Sequence, residues 1–345
     1  MSQQQLHPMK YGRQHQLFVG LVIAGLVAVV GSYLLFGAHA QTPVISIQPE
    51  AGSLTGGAVA NKGDSTESGG AYIQFAGPPT VVGKRFTSTA AMNTLAGATT
   101  IAQAQTAIQS FASQYGLTVE ITAVTQSASA KSFSTYSLLS ASDLAQLKTY
   151  GYIFIDEWAK YPVDWVHNSK AKDIIIVKNL DVSSTLRAAM PDPAGEAMYY
   201  DIAYASSATG PASDYAREVI HHEFDHLLTY NYFGSYAPLD LVWALNYNAP
   251  GFTYGNGGAS CYHPGNTCLS GPHPIPGFVS GYAASAIEED KAETYGYLMT
   301  DADYQLVKTW IKTDSYLAQK VTAYKQFIAS HSPEMSGTYF DSINP

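Results

Sequence analysis

The stretch Glu218-Val219-Ile220-His221-His222-Glu223-Phe224-Asp225-His226-Leu227-Leu228 constrains this chain more than any other segment. It contains the spacing His222-Glu223-x-x-His226. On a helix, positions four apart share a face one turn apart, so the two imidazoles aim at one point in space. Ile220, Phe224 and Leu227 make an apolar stripe beside them, which lets the helix be buried while the histidines stay presented. Pro211 suits the first turn of such a helix and Asp214 its positive end. Two neutral nitrogen donors and a neighbouring carboxylate are what zinc-assisted amide hydrolysis requires: two ligands, and a base for water held by the metal. His221 points about 100° away from His222, so it is expected to pack or face solvent.

A catalytic zinc takes a third protein ligand and leaves one position open. A continuation with glycine at 229 and histidine at 232 is absent, since those positions hold Thr229 and Tyr232. Further on, residues 281–299 read as a helix. Ser285 and Glu288 have the spacing of a capping box and predict its start. Glu289 and Glu293 lie four apart on one face, Glu288 is engaged by the cap, and Asp290 points about 100° away. Either Glu289 or Glu293 can therefore supply the third ligand.

Taken together, these motifs resemble the gluzincin metallopeptidases. The resemblance is to the branch that includes the peptidase domain of lethal-factor toxins and the proline-specific secreted endopeptidases. As in that branch, Tyr282 stands seven residues before Glu289, and Ala292-Glu293 follows. The resemblance implies one catalytic zinc held by His222, His226 and Glu289, with Glu223 as general base. It further implies that Tyr282 donates to the oxyanion and that Glu293 holds a ligand histidine in its tautomer. The expected fold is α+β and zincin-like: a small mixed sheet, the active-site helix and a helical C-terminal part. Asp225 departs from the pattern, because that branch often has glycine there.

The N-terminus predicts where such chemistry would act. Leu17 to Phe36 is an apolar run without charge, long enough to span a bilayer, preceded by Lys10 and Arg13. Ala38-His39-Ala40 follows as a cleavage-like site. The run is expected to act as a signal anchor, or as a signal peptide cut after Ala40. Both readings export the rest, either tethered to the membrane or secreted. Cys261 and Cys268, seven apart in a Pro/Gly-rich loop, are then expected to form a local disulfide. The formal charge of −9 and the absence of a basic cluster argue against a nucleic-acid partner.

Three regions are expected: residues 1–40 as cytoplasmic tip and signal segment, 41–80 as a Gly/Ser-rich spacer with strand character, and 81–345 as the metallopeptidase domain. Ser68-Gly69-Gly70-Ala71-Tyr72-Ile73-Gln74-Phe75 resembles an opening strand of carbohydrate-binding β-sandwich modules. In the main region, strands are predicted at 117–121, 152–155, 174–177 and 198–205, and helices near 101–115 and 143–150. The long loop 246–280 is expected to form part of the substrate cleft or a lid, with Trp243 and Phe252 lining it or packing in the core. The expected partner is a protein or peptide substrate. Two other functions fit the same residues: a degenerate module binding peptide or carbohydrate, and an amidase of cell-wall peptides.

Overall fold

The computed structural model describes residues 58–62, 71–75, 88–209, 211–238, 240–262, 265–266 and 268–344. The expected signal segment, Leu17 to Phe36, lies outside them. No described helix is long and apolar enough to cross a membrane. The chain divides into two units, residues 1–77 and 78–345. In the first, β1 (Ala58–Lys62) and β2 (Ala71–Phe75) pair antiparallel, Ala58 opposite Phe75 and Lys62 opposite Ala71.

The second unit opens with α1 (Thr89–Gly97) and α2 (Ile101–Ala112). Thr100 caps α2 by accepting from Gln103 N at 3.2 Å. Ile101, Ala104, Ile108 and Phe111 bury one side of α2, and Gly116 ends the following turn at φ +73°. Next come β3 (Thr118–Glu120), α3 (Ala128–Phe133), β4 (Ser134–Ser137), α4 (Leu144–Trp158) and α5 (Val163–Asn168). The sheet is completed by β5 (Asp173–Val182), β6 (Thr185–Leu186), β7 (Ala189–Asp192) and β8 (Ala197–Asp201).

Strand β5 is the spine of this sheet. It runs parallel to β3 and β8, while its far end pairs antiparallel with β4 and β6. Its run Ile174 to Val177 is apolar throughout because both faces are covered. Ile174 and Ile176 join the main core, whereas Ile175 and Val177 join a smaller cluster with Ala130, Leu180, Met190 and Tyr199. On its open side, β3 is blunted by side chains of α2. Gln109 accepts from Val119 N at 2.6 Å, and Gln105 donates to Val119 O at 2.8 Å. At the other end β7 lies antiparallel to β8 and closes the order β3-β5-β8-β7.

Residues Tyr152 to Ile155 are helical, inside α4, rather than the predicted strand. Four consecutive apolar residues fit a buried helix and a buried strand equally well. Here Leu147, Tyr150, Phe154 and Trp158 make the buried face, at helical spacing. The segment predicted as a strand over 198–205 stops at Asp201, whose carboxylate accepts from Ala203 N at 2.8 Å and turns the chain.

After the sheet the described chain is mainly helical: α6 (Pro211–Phe233), α7 (Leu241–Asn246), α8 (Ile287–Met299), α9 (Asp301–Trp310), α10 (Ser315–His331) and α11 (Tyr339–Ile343). The α+β architecture with a small mixed sheet and a helical C-terminal part is thus present. Helix α6 packs its apolar side on α4. Phe224 stacks on Tyr161 with ring centroids 4.6 Å apart and meets Trp158 edge-on at 5.3 Å. Helix α8 begins at Ile287 with Ala286 before it, so the predicted capping box does not form. Ser285 is instead the last residue of a 3-10 turn, Ala283–Ser285, which frees Glu288 to line the cleft.

Candidate metal centre

Helix α6 presents His222 and His226, and α8 brings Glu289 to them. His222 Nε2 lies 3.1 Å from His226 Nε2, and each lies 3.2 Å from Glu289 Oε2. Zinc–nitrogen and zinc–oxygen bonds of about 2.0–2.1 Å in a tetrahedron set ligand atoms about 3.3 Å apart. The three donors therefore form a nearly equilateral face of the right size for one such ion. All three side chains are largely buried, as a tight site requires.

The far sides of these ligands are also engaged. Glu293 Oε1 stands 2.9 Å from His222 Nδ1, though off the axis of its N–H. Placed there, the carboxylate favours the tautomer that leaves Nε2 free as a donor. Glu293 also accepts from Ser280 Oγ. Glu218, one turn before His222, lies against Glu293. Burial and the neighbouring Glu293 carboxylate push Glu218 well above the usual range. Burial also pushes Glu293 upward, but His222, Ser280 and Glu218 outweigh it and keep it ionised. At Glu289, burial is likewise outweighed by His226 and His222. The spacing of four between Glu218 and His222 was readable from the sequence, but its pairing with α8 was not.

Tyr282 donates to Glu289 Oε1 at 3.1 Å. Burial first, then the Glu289 charge, holds its phenol far above the ordinary range, so it remains a donor. Glu223 lines the same cleft, and burial raises its carboxyl. His221 turns inward instead, as expected from its phase. It is fully buried, with Nδ1 2.5 Å from the Tyr161 hydroxyl and Nε2 2.8 Å from Glu157 Oε2. Burial lowers it to about 4, so it is neutral at pH 7.

The three consecutive acids of α8 part company. Glu288 borders the cleft and Glu289 meets the histidines. Asp290 points into the core, where Oδ2 accepts from Trp243 Nε1, Tyr254 OH and Lys320 Nζ, each at 2.7 Å. Trp243 is thus a core anchor. Phe252 packs on Phe278 at 4.5 Å rather than lining the cleft. Asp225, the departure from the family pattern, is buried and accepts from the Tyr324 hydroxyl of α10.

The loop after α7 does reach the cleft, through Ala259 and Tyr262. Its chain is fastened to the turn before α8: Gly255 N donates to Ala284 O at 3.1 Å and Gly257 N to Ser285 O at 3.0 Å. Gly258 rests directly on the site. A Cβ there would overlap the Glu289 carboxylate and the Tyr282 hydroxyl, a requirement the sequence did not announce. Cys261 and Cys268 form the expected disulfide in this loop. His263 lies outside the described residues, and His273 stacks on Trp310 at 4.8 Å. The cleft measures about 640 Å³ and is bordered on one side by Ala189, Met190 and Pro191 of β7.

No protein-family model matches the chain, and no curated protein does. Among solved structures it is similar to one from Bacteroides caccae ATCC 43185, described as a proposed zinc-binding metallo-peptidase. The two share 14% identity over 75% of this chain and 92% of that one, with a TM-score of 0.40.

Proposed function

We propose that this chain is a zinc-dependent peptidase acting outside the cytoplasm. The observation that carries the reading is the triangle of His222 Nε2, His226 Nε2 and Glu289 Oε2, with edges of 3.1–3.2 Å, beside a cleft-facing Glu223. Zinc bound there would supply Lewis acidity, polarising a substrate carbonyl and acidifying water. The residues supply the rest. Glu223, with its carboxyl raised by burial, is suited to take a proton from water and pass it to the departing amine. The Tyr282 hydroxyl is positioned to donate to the carbonyl oxygen as it gains charge. Strand β7 pairs only with β8 among the described strands and borders the cleft, so an extended peptide would lie along it, pairing short of Pro191, which has no N–H and whose carbonyl accepts from Tyr236 OH. The proposed extracytoplasmic location rests on Leu17 to Phe36 and its flanking charges.

The test joins metal content with turnover. The full chain is expected to hold one zinc and to cleave an unstructured protein in a chelator-sensitive way. Glu223→Gln should retain zinc and lose at least about 10³-fold in kcat. Absence of stoichiometric zinc refutes the site. Zinc retention with equal inactivity of both proteins towards proteins and isolated cell wall favours a binding module. Cleavage confined to cell wall favours the amidase.

A further inference from the structure

The cleft wall contains a cation, Arg187, whose charge bears on Glu223 but which no step of the proposed reaction uses directly. Arg187 lies between β6 and β7, with its backbone N–H fixed to Leu180 O at 2.8 Å. Among the described ionisable side chains lining the cleft, it is the one lysine or arginine; the others are carboxylates, histidines and tyrosines. The other described arginine, Arg217, makes a useful contrast. Arg217 is bound by Asp156, Glu157, Ser213 and the Ala208 carbonyl. No described carboxylate stands within ion-pair distance of Arg187.

What Arg187 does have is a platform. Its guanidinium carbon lies 3.8 Å from the centroid of Tyr262. Tyr262 meets Tyr282 edge-on at 6.0 Å, and Tyr282 lies 5.9 Å from the His222 ring. A chain of rings thus connects the guanidinium to the metal ligands. Stacking occupies the face of a guanidinium and leaves its edge N–H groups available, in the fork that fits a carboxylate. Val182, Leu186 and Phe133 line the same cleft, with Leu186 and Phe133 exposed.

We infer that Arg187 is a substrate-binding residue that recognises a carboxylate, so the preferred peptides are acidic beside the scissile bond. The carboxylate can belong to an aspartate or glutamate side chain or to the substrate's C-terminus. This inference rests on the peptidase reading for its substrate class. The Tyr262 platform belongs to the disulfide loop, so the same loop that packs on Glu289 also holds the arginine.

The test compares quenched peptides that differ only in Glu against Gln at successive positions around the scissile bond, plus one pair with a free or amidated C-terminus. The full chain is expected to favour the carboxylate at one position by about 10- to 100-fold in kcat/KM. Selection at an internal position identifies a side chain, and selection for the free terminus identifies the terminal carboxylate. Arg187→Gln should abolish the preference, Arg187→Lys should restore part of it, and Arg187→Glu should favour lysine at the same position. The ratio within each pair is the readout, because loss of mere loop support lowers both rates and leaves the ratio intact. Equal cleavage of every pair by the wild type overturns the inference, as does a ratio that survives Arg187→Gln. Anisotropy binding of the same peptides to Glu223→Gln repeats the comparison without turnover. Cleavage failure would then count against the peptidase reading, and absence of binding discrimination against Arg187.

Discussion

Glu293 Oε1 lies 2.9 Å from Nδ1 of His222, on the side of the ring opposite Glu289. This separates the roles of two carboxylates that share one face of α8. Glu289→Gln should abolish stoichiometric zinc binding. Glu293→Gln should keep zinc but weaken it by about 10- to 100-fold, measured by chelator competition. The reverse order would make Glu293 the ligand.

Gly258 has no room for a methyl group against Glu289 and Tyr282. Gly258→Ala is expected to displace one of them, lowering both zinc affinity and peptide cleavage. Its unfolding free energy without metal should fall by about 1–3 kcal/mol, since Gly258 is itself buried against those side chains. Unchanged zinc affinity would show that the loop yields instead.

The Cys261–Cys268 disulfide closes a short loop, worth at most about 2–3 kcal/mol by chain entropy. Replacing both cysteines by serine should therefore leave the domain folded, with a modest drop in Tm. Peptide cleavage should suffer severalfold more than stability predicts, because Gly258 and Tyr262 lie on this loop or beside it. Full activity in the double variant would disconnect the disulfide from the cleft.

Asp303, in the first turn of α9, is pushed up to about 6 by burial, with Asp214 and Glu293 adding to it. The folded state thus binds its proton more tightly than the unfolded state, where the ordinary value is 3.8. As pH rises from about 4 to 6, the unfolded chain releases the proton first and stability falls; above 6 the cost is complete. Asp303→Asn should raise stability at pH 7.5 by roughly 1 kcal/mol after allowing for solvent screening, and hardly at all at pH 4. Thermal melts of metal-free wild type and variant at the two pH values check this. An equal gain at both would assign the effect to something other than titration.

The features legible in the sequence were those with a local period. His222, Glu223 and His226 sit on a helix whose amphipathic stripe is written in the same residues, and Glu289 and Glu293 share a face by simple helical phase. Tyr152 to Ile155 was ambiguous because four apolar residues satisfy two periods, and tertiary packing on α2 and α6 decides it. The short strand β7 carries a proline and no alternation, so nothing local marks it as the cleft edge. Gly258, Arg187 and the Glu218–Glu293 pair act through approaches between distant segments, which no single window contains.

Asp290 hangs from Trp243, Tyr254 and Lys320, and Asp225 from Tyr324. Two of these donors belong to α10, which is synthesised after every metal ligand. A nascent chain that ends before Ser315 carries His222, His226 and Glu289 yet lacks the partners that fix the rotation of α6 and α8. Both helices would then hold a buried acid without its cation or phenol, a strong disincentive to docking. The geometry of the candidate site is thereby tied to α10, although α10 supplies none of its three donors.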